Sequence, residues 1–286
     1  MIPYQIVNLQ PLQSGGNGDL FIGQRTDTGE WVVVKWLREF HLTHARKAFA
    51  REVRLLQRKL RGLVPLLFAD TNAQRPYYVM PFFGGGTLTQ YAGRLGESQL
   101  QAVGTELART LADLHGAFEA HGDVKPDNVL VNREGRVELA DPLGNGTVFT
   151  ILFSANHGGT PGYWAPEVRA GGPISRTADV YSYGATMYHL LTGWRPQDGQ
   201  QLDVELEASG GSPKIREIIS ACCRSNPNAR PTMHDVLRML RGEQWAQIEV
   251  QRKQSQQLVA AACALGLLVV IGAAAKTCPP HSPASI

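Results

Sequence analysis

The chain has 286 residues, 43% of them apolar, and a formal net charge of +3, enough for one large domain or two lobes around a cleft. That charge is too small, and the Lys and Arg too scattered, to point to nucleic acid; the arginines read as solvated helix faces. The four cysteines, Cys222, Cys223, Cys263 and Cys278, contain no C-x-x-C pair, which argues against a disulfide framework or structural zinc and fits a reducing compartment.

The opening Met1-Ile2-Pro3-Tyr4 lacks a basic stretch followed by an apolar run, so no signal peptide is expected. Residues 4–37 read as strands and turns. Within them, Ser14-Gly15-Gly16-Asn17-Gly18-Asp19-Leu20 lies between two predicted strands. Glycines there let backbone N–H groups approach phosphate oxygens, although a Gly-rich hairpin turn reads the same way. Val32-Val33-Val34-Lys35 follows and places one Lys among apolar residues. It is either a surface Lys on an edge strand or the partner of Glu52. Residues 44–61 predict a helix, with Ala48, Phe49, Val53, Leu56 and Leu60 at helical spacing and Glu52 on the face of Phe49 and Leu56.

Two short apolar runs, 63–69 and 77–83, come next, the second ending in Gly84–Gly86. A long helix is predicted over 97–118, with Leu100, Val103, Leu107, Leu111 and Leu114 on one face. Short strands at 129–131 and 137–139 lead into an irregular Gly-rich stretch to about residue 167. Helical patterns return at 177–192, 213–223 and 232–241. Strand-rich first and helix-rich later, the chain predicts an α+β protein of two lobes. There is no internal repeat.

Residues 242–257, rich in Gln and charge, read as a juxtamembrane linker. Residues 258–275 carry no charge and no Pro; as a helix they span roughly 27 Å, close to a hydrocarbon core of about 30 Å. A buried helix of a soluble domain is the other reading, weakened by the polar stretch before it. A transmembrane helix is therefore expected, followed by a short tail, 276–286.

The chemistry concentrates in His121-Gly122-Asp123-Val124-Lys125-Pro126-Asp127-Asn128. Asp123 can orient a hydroxyl and accept its proton, Lys125 can neutralise a transferring phosphate, and Asn128 offers a hard oxygen to magnesium. Asp141 offers a carboxylate to the same ion, unless it is only a turn Asp before Pro142.

These residues resemble the eukaryotic-like Ser/Thr protein kinase family from about residue 8 to 241. The loop resembles H-R-D-x-K-P-x-N, and Asp141 falls where D-F-G begins. Gly159-Thr160-Pro161-Gly162-Tyr163-Trp164-Ala165-Pro166-Glu167 is similar to the end of the activation segment, and Asp179–Gly184 to the start of the central helix. Arg230 stands where the family's partner of the A-P-E Glu, here Glu167, is found. Met80 matches the gatekeeper, with Pro81 to Phe83 as the hinge.

The resemblance implies a two-lobed kinase domain over 1–241, the N-lobe about 1–83 and the C-lobe about 84–241. It implies ATP with Mg2+, or Mn2+ in its place, held through Gly15, Gly16, Gly18, Lys35, Glu52, Met80, Phe82 and Phe83. Asp123, Lys125, Asn128 and Thr160 are the implied catalytic residues, and Asn128 and Asp141 the metal ligands. Lys125 with Thr160 is similar to the pattern for Ser/Thr acceptors in proteins.

Three departures bear on mechanism. Gln13 replaces the first glycine of G-x-G-x-x-G. Gly122 replaces the Arg that in the family often reads a phosphate on the activation segment. Activity is therefore expected not to depend on phosphate at Thr147, Thr150 or Ser154. Asp141-Pro142-Leu143-Gly144 replaces D-F-G, with Leu143 expected to fill part of the aromatic's slot.

Three other functions compete, of which a non-enzymatic membrane anchor protein leaves the ordered motif set unexplained. A pseudokinase scaffold would be favoured by loss of Lys35, Asp123, Asn128 or Asp141, and all four are present. Small-molecule phosphotransferases often carry H-G-D, as here, but usually lack a Lys at position 125 and A-P-E.

Arg238, Arg241, Arg252 and Lys253 precede the apolar run and Lys276 follows it, a bias that places the kinase domain in the cytoplasm. The expectation is a single-pass membrane kinase of bacterial type with no sensor domain of its own. Ala262 and Gly266 form a small-x-x-x-small pair that permits a homodimer.

Overall fold

Valine-rich runs early in the chain and apolar helical stripes later build two halves of different kind. A computed structural model describes residues 5–12, 18–143, 161–197, 202, 206 and 210–259. Gly15, Gly16, Thr160 and the apolar run from residue 260 onward lie outside the described residues. The chain divides into two units, Met1–Gly242 and Glu243–Ile286.

In the first unit, β1 (Ile6–Pro11), β2 (Gly18–Arg25), β3 (Trp31–Leu37), β4 (Phe68–Asp70) and β5 (Tyr77–Pro81) form an antiparallel sheet in the order β1-β2-β3-β5-β4. β3 is central, and Val32, Val33 and Val34 are all buried, as β-branched residues on a covered pleat should be. Helix α1 (Thr43–Gln57) follows. It stops about a turn short of the predicted 44–61, because Lys59 takes a φ of +53° and Gly62 one of +80°. Leu60 is thus carried off the helix. Of the apolar run 63–69, only its last two residues join β4, while Leu63 bridges to Leu139.

The second half of this unit contains α2 (Glu97–Gly116), a hairpin of β6 (Val129–Val131) and β7 (Val137–Leu139), and α3 (Pro166–Arg169). Then come α4 (Arg176–Thr192), α5 (Pro213–Cys222) and α6 (Met233–Leu240). Every residue of α4 from Ala178 to Leu190 is buried, with α2 and α5 packed on it. Its start is fixed by Ser175, whose side chain accepts from the Ala178 N–H at 3.2 Å. α6 opens on a capping box between Thr232 and Asp235.

In the second unit, residues 245–259, largely expected as linker, are helical. Lys253 pairs with Glu249 at 3.4 Å one turn away, and Arg252 lies over the Trp245 ring. Among the described residues no helix is long and apolar enough to cross a membrane; most of the expected span, from residue 260, is outside them.

Candidate active site

The central strand of the sheet delivers Lys35 to a buried charge cluster. Its ammonium donates to Glu52 Oε1 of α1 at 2.8 Å and to Asp141 Oδ1, just after β7, at 2.9 Å. Burial alone would drive the Lys35 ammonium down; Asp141 and Glu52 more than reverse this and hold it above its ordinary value. Burial would also raise the Asp141 carboxyl, but Lys35 holds it below the usual carboxylate range. Glu52 is pushed up by burial, against the pull of Lys35. Asp141 keeps 38% of its side chain exposed, so the cluster opens to solvent on its side. Asp141 also has a φ of +59°, a sparsely populated conformation for a residue with a side chain.

Gly18 begins β2 beside this lysine. A Cβ on Gly18 would lie 2.9 Å from both Lys35 Cγ and the Trp36 carbonyl oxygen, so only glycine lets the strand cross the lysine stem. Of the expected glycines it is the described one, Gly15 and Gly16 being outside the described residues.

The expected catalytic loop is assembled around Asp123. Lys125 Nζ donates to Asp123 Oδ2 at 2.8 Å, and the Asn128 amide donates to the same oxygen and to the Asp123 carbonyl, each at 2.8 Å. Asn128 spends its nitrogen this way, which leaves Oδ1 as its donor atom for a cation. With the Asp141 carboxylate it makes a hard-oxygen pair of the kind magnesium takes. Among the described residues no cluster of three or more His, Cys, Asp or Glu forms a metal group, so such an ion would complete its shell from phosphate oxygens and water.

The loop hangs from α4. Asp179, 1% exposed, accepts the His121 N–H at 2.7 Å and the Gly122 N–H at 2.8 Å, and bonds to His115 Nε2 at 2.9 Å. Gly122 has a φ of +88°, and a Cβ there would come within 3.0–3.2 Å of Ile174 and Leu143. Of the pair that follows Asp141, Pro142 is buried and Leu143 is half-buried against Gly122. Burial lowers the His121 imidazole, against the neighbouring Asp179 charge.

Met80 lies buried on β5 opposite Val33, and Phe83 is buried just beyond the strand. The Phe82 N–H is engaged by the Trp31 carbonyl at 3.0 Å. In the helical half, Glu167 and Arg230 meet side by side, Nη1 to Oε1 at 2.7 Å and Nη2 to Oε2 at 2.8 Å. Two contributors have roles that the sequence does not show. Tyr78, in an apolar strand, reads as core filler. Asp179 reads as the start of the central helix, without its hold on the backbone of His121 and Gly122.

A model of the protein kinase domain matches residues 6–240. The chain is 31% identical to serine/threonine-protein kinase Pkn1 of Myxococcus xanthus, covering 69% of this chain and 30% of that protein. It is 30% identical to serine/threonine-protein kinase pkn2 of the same organism, over 67% of this chain and 25% of that protein. It is 29% identical to serine/threonine-protein kinase PknA of Nostoc, over 78% and 44%. The chain thus spans less than half the length of these three relatives.

Proposed function

The chain belongs to the protein kinase family, and from that premise we propose that it transfers the γ-phosphoryl group of ATP to Ser and Thr hydroxyls of proteins. The observation that carries the reading is the convergence of Lys125 and Asn128 on one oxygen of Asp123, with Lys35 held between Glu52 and Asp141. Two donors fix Asp123 Oδ2, and we assign its other oxygen to the acceptor hydroxyl. That hydroxyl gives its proton to Asp123 as its oxygen bonds to the γ-phosphorus, and the bond from that phosphorus to the β-phosphate oxygen breaks, releasing ADP. Lys125 lies beside the transferring group and offsets its charge. Lys35, turned from Asp141 toward the nucleotide, holds the phosphates. Met80 and Phe83 bound the adenine side, where the Phe82 N–H is already used by Trp31. Asn128 Oδ1 and Asp141 would hold magnesium, which would supply charge neutralisation to the phosphate oxygens.

The test is Asp123→Asn, assayed with a generic protein substrate and Mg-ATP. Transfer is expected to fall about 10²–10⁴-fold while affinity for an ATP analogue changes little. Equal transfer by both proteins would sink the assignment. Nucleotide binding without transfer by the natural chain would favour the scaffold reading. The Glu167–Arg230 strut, which braces the segment expected to dock peptide, speaks for protein over small-molecule acceptors.

We also propose that residues 258–275 anchor the chain in a membrane with the kinase domain cytoplasmic, and that Ala262 and Gly266 permit pairing of two anchors. The support is the run of eighteen residues without charge or Pro and the Arg and Lys that precede it. The full chain is expected in the membrane fraction and a chain ending at residue 257 in the soluble fraction. Full-length protein recovered without detergent would overturn the anchor.

A further inference from the structure

We propose that Tyr78 is a positioning residue for phosphoryl transfer: its buried hydroxyl holds Glu52 and, through Glu52, keeps helix α1 and the Lys35 ammonium in the arrangement the reaction needs. The proposal rests on the kinase reading of the same site.

Tyr78 and Lys35 are cross-strand partners on β5 and β3, so both project from the same face of the sheet. That face meets α1. The Tyr78 hydroxyl donates to Glu52 Oε1 at 2.7 Å, the same oxygen that accepts from Lys35 at 2.8 Å. The Tyr78 ring lies 5.6 Å from the Phe49 ring. Phe49 and Glu52 are three residues apart and share one side of the helix, so one tyrosine grips α1 twice, by its ring and by its oxygen. The Lys35 ammonium also sits over that ring, 5.5 Å from its centre.

The hydroxyl has a purpose that packing does not supply. Tyr78 has 0% of its surface exposed, and burying a hydroxyl costs free energy unless it is bonded. Phenylalanine would fill the space without that cost. Helix α1, for its part, buries Ala45, Phe49, Val53, Leu55 and Leu56, apolar contacts that do not by themselves fix the direction of a carboxylate. Its N-cap, Leu42, makes no side-chain hydrogen bond, and its first turn has no acidic residue. Arg46 ties its beginning to the carbonyls of Phe40, Ala73 and Gln74. In the middle of the helix, where Glu52 must stay, the polar contacts come from Lys35 and Tyr78.

The experiment compares the full chain with Tyr78→Phe, Glu52→Gln and the double variant, by amide hydrogen exchange and by steady-state kinetics in ATP. Tyr78→Phe keeps the ring and removes the donor. Exchange is expected to speed up at least about fivefold in residues 49–56, with α4 unchanged. The rate constant kcat should fall about tenfold, while KM for ATP moves less than about threefold, because the hydroxyl touches the carboxylate and not the nucleotide. In the Glu52→Gln background the tyrosine change should add less than about twofold. Unchanged exchange in α1 overturns the proposal whatever the turnover. Multiplying effects in the double variant overturn it as well, since Tyr78 would then act by another route. A natural chain without any turnover, but with faster α1 exchange in Tyr78→Phe, would remove the kinase reading and leave the grip on Glu52 standing.

Discussion

The Lys35–Glu52 pair of the sheet-rich half and the Arg230–Glu167 pair of the helical half use the same chemistry to different ends. Arg230 is 1% exposed, and each nitrogen of its guanidinium donates. Nε reaches the Arg224 carbonyl at 2.7 Å, Nη1 reaches Glu167 and the Thr177 carbonyl, and Nη2 reaches Glu167 and the Ser225 carbonyl. The Tyr181 ring lies 5.2 Å away. That cation is closed off: its donors all end on the protein, and three stretches of chain are joined by it. Lys35 is as buried, at 3%, but one of its two partners is the half-exposed Asp141. A cation that shares itself with an exposed carboxylate can pass to a phosphate. Burial therefore does not distinguish a strut from a working group, nor does the partner's exposure alone, since Glu167 keeps 25% of its side chain exposed beside 38% for Asp141; the share of the cation's donors already committed to the protein does.

The comparison breaks first at Arg230. Arg230→Met leaves Glu167 without its cation and three carbonyls without donors, and is expected to cost about 3–5 kcal/mol of stability, read by chemical denaturation. Catalytic loss should follow unfolding and vanish for whatever fraction remains folded. A folded, fully stable Arg230→Met protein with lowered kcat would reverse the roles given to the two pairs.

Lys35→Met should do the opposite, lowering kcat/KM by about 10²–10³-fold, or about 2.7–4 kcal/mol in the barrier. Its stability cost is smaller, because Glu52, already pushed up by burial, can take a proton. The sign of the pH dependence follows. With Lys35 gone, folded Glu52 keeps its proton above the value near 4.3 of an unfolded glutamate. The folded state then binds more protons, so stability falls as pH rises from about 4.3 toward the folded pKa. A Lys35→Met protein whose stability is flat across pH 4–8 would show that Glu52 finds another cation.

Legibility in the sequence tracked distance along the chain. Asp123, Lys125 and Asn128 lie within six residues, so their meeting was readable from spacing. Lys35 and Glu52 were readable because a lone Lys in a valine strand and a Glu on an apolar helix face each need a partner. Tyr78 was not. In Tyr77-Tyr78 a shift of register by one residue would exchange the two rings, and only the pairing with β3 sends Tyr78 to α1 and Tyr77 to Trp36 and Phe68. The role of Asp179, read only as the start of the central helix, was hidden for a related reason: its backbone partners, the N–H groups of His121 and Gly122, are 58 and 57 residues away and carry no side-chain signature. The end of α1 was missed because the positive φ of Lys59 overrides an apolar spacing that still continues to Leu60.

The smallest expected effect concerns Gly122, between the two halves of the comparison. Read from the sequence, its importance is a missing Arg side chain; in the fold it is also a conformation. Its N–H is fixed on Asp179 Oδ1, its φ is +88°, and the place of a Cβ is bounded by Ile174 and Leu143 at 3.0–3.2 Å. A residue with a side chain pays roughly 1–2 kcal/mol to adopt the left-handed region, and here its neighbours must also yield by a few tenths of an ångström. Gly122→Ala is therefore expected to lower stability by about 1–2 kcal/mol, well below the cost at Arg230, with kcat reduced less than at Lys35. Because the strain falls on the hydrogen bond to Asp179, the loss should shrink in an Asp179→Asn background, where that bond is already weakened. An alanine tolerated without cost would mean that the loop leaves this conformation in solution, and that Asp179 holds the catalytic loop through His121 alone.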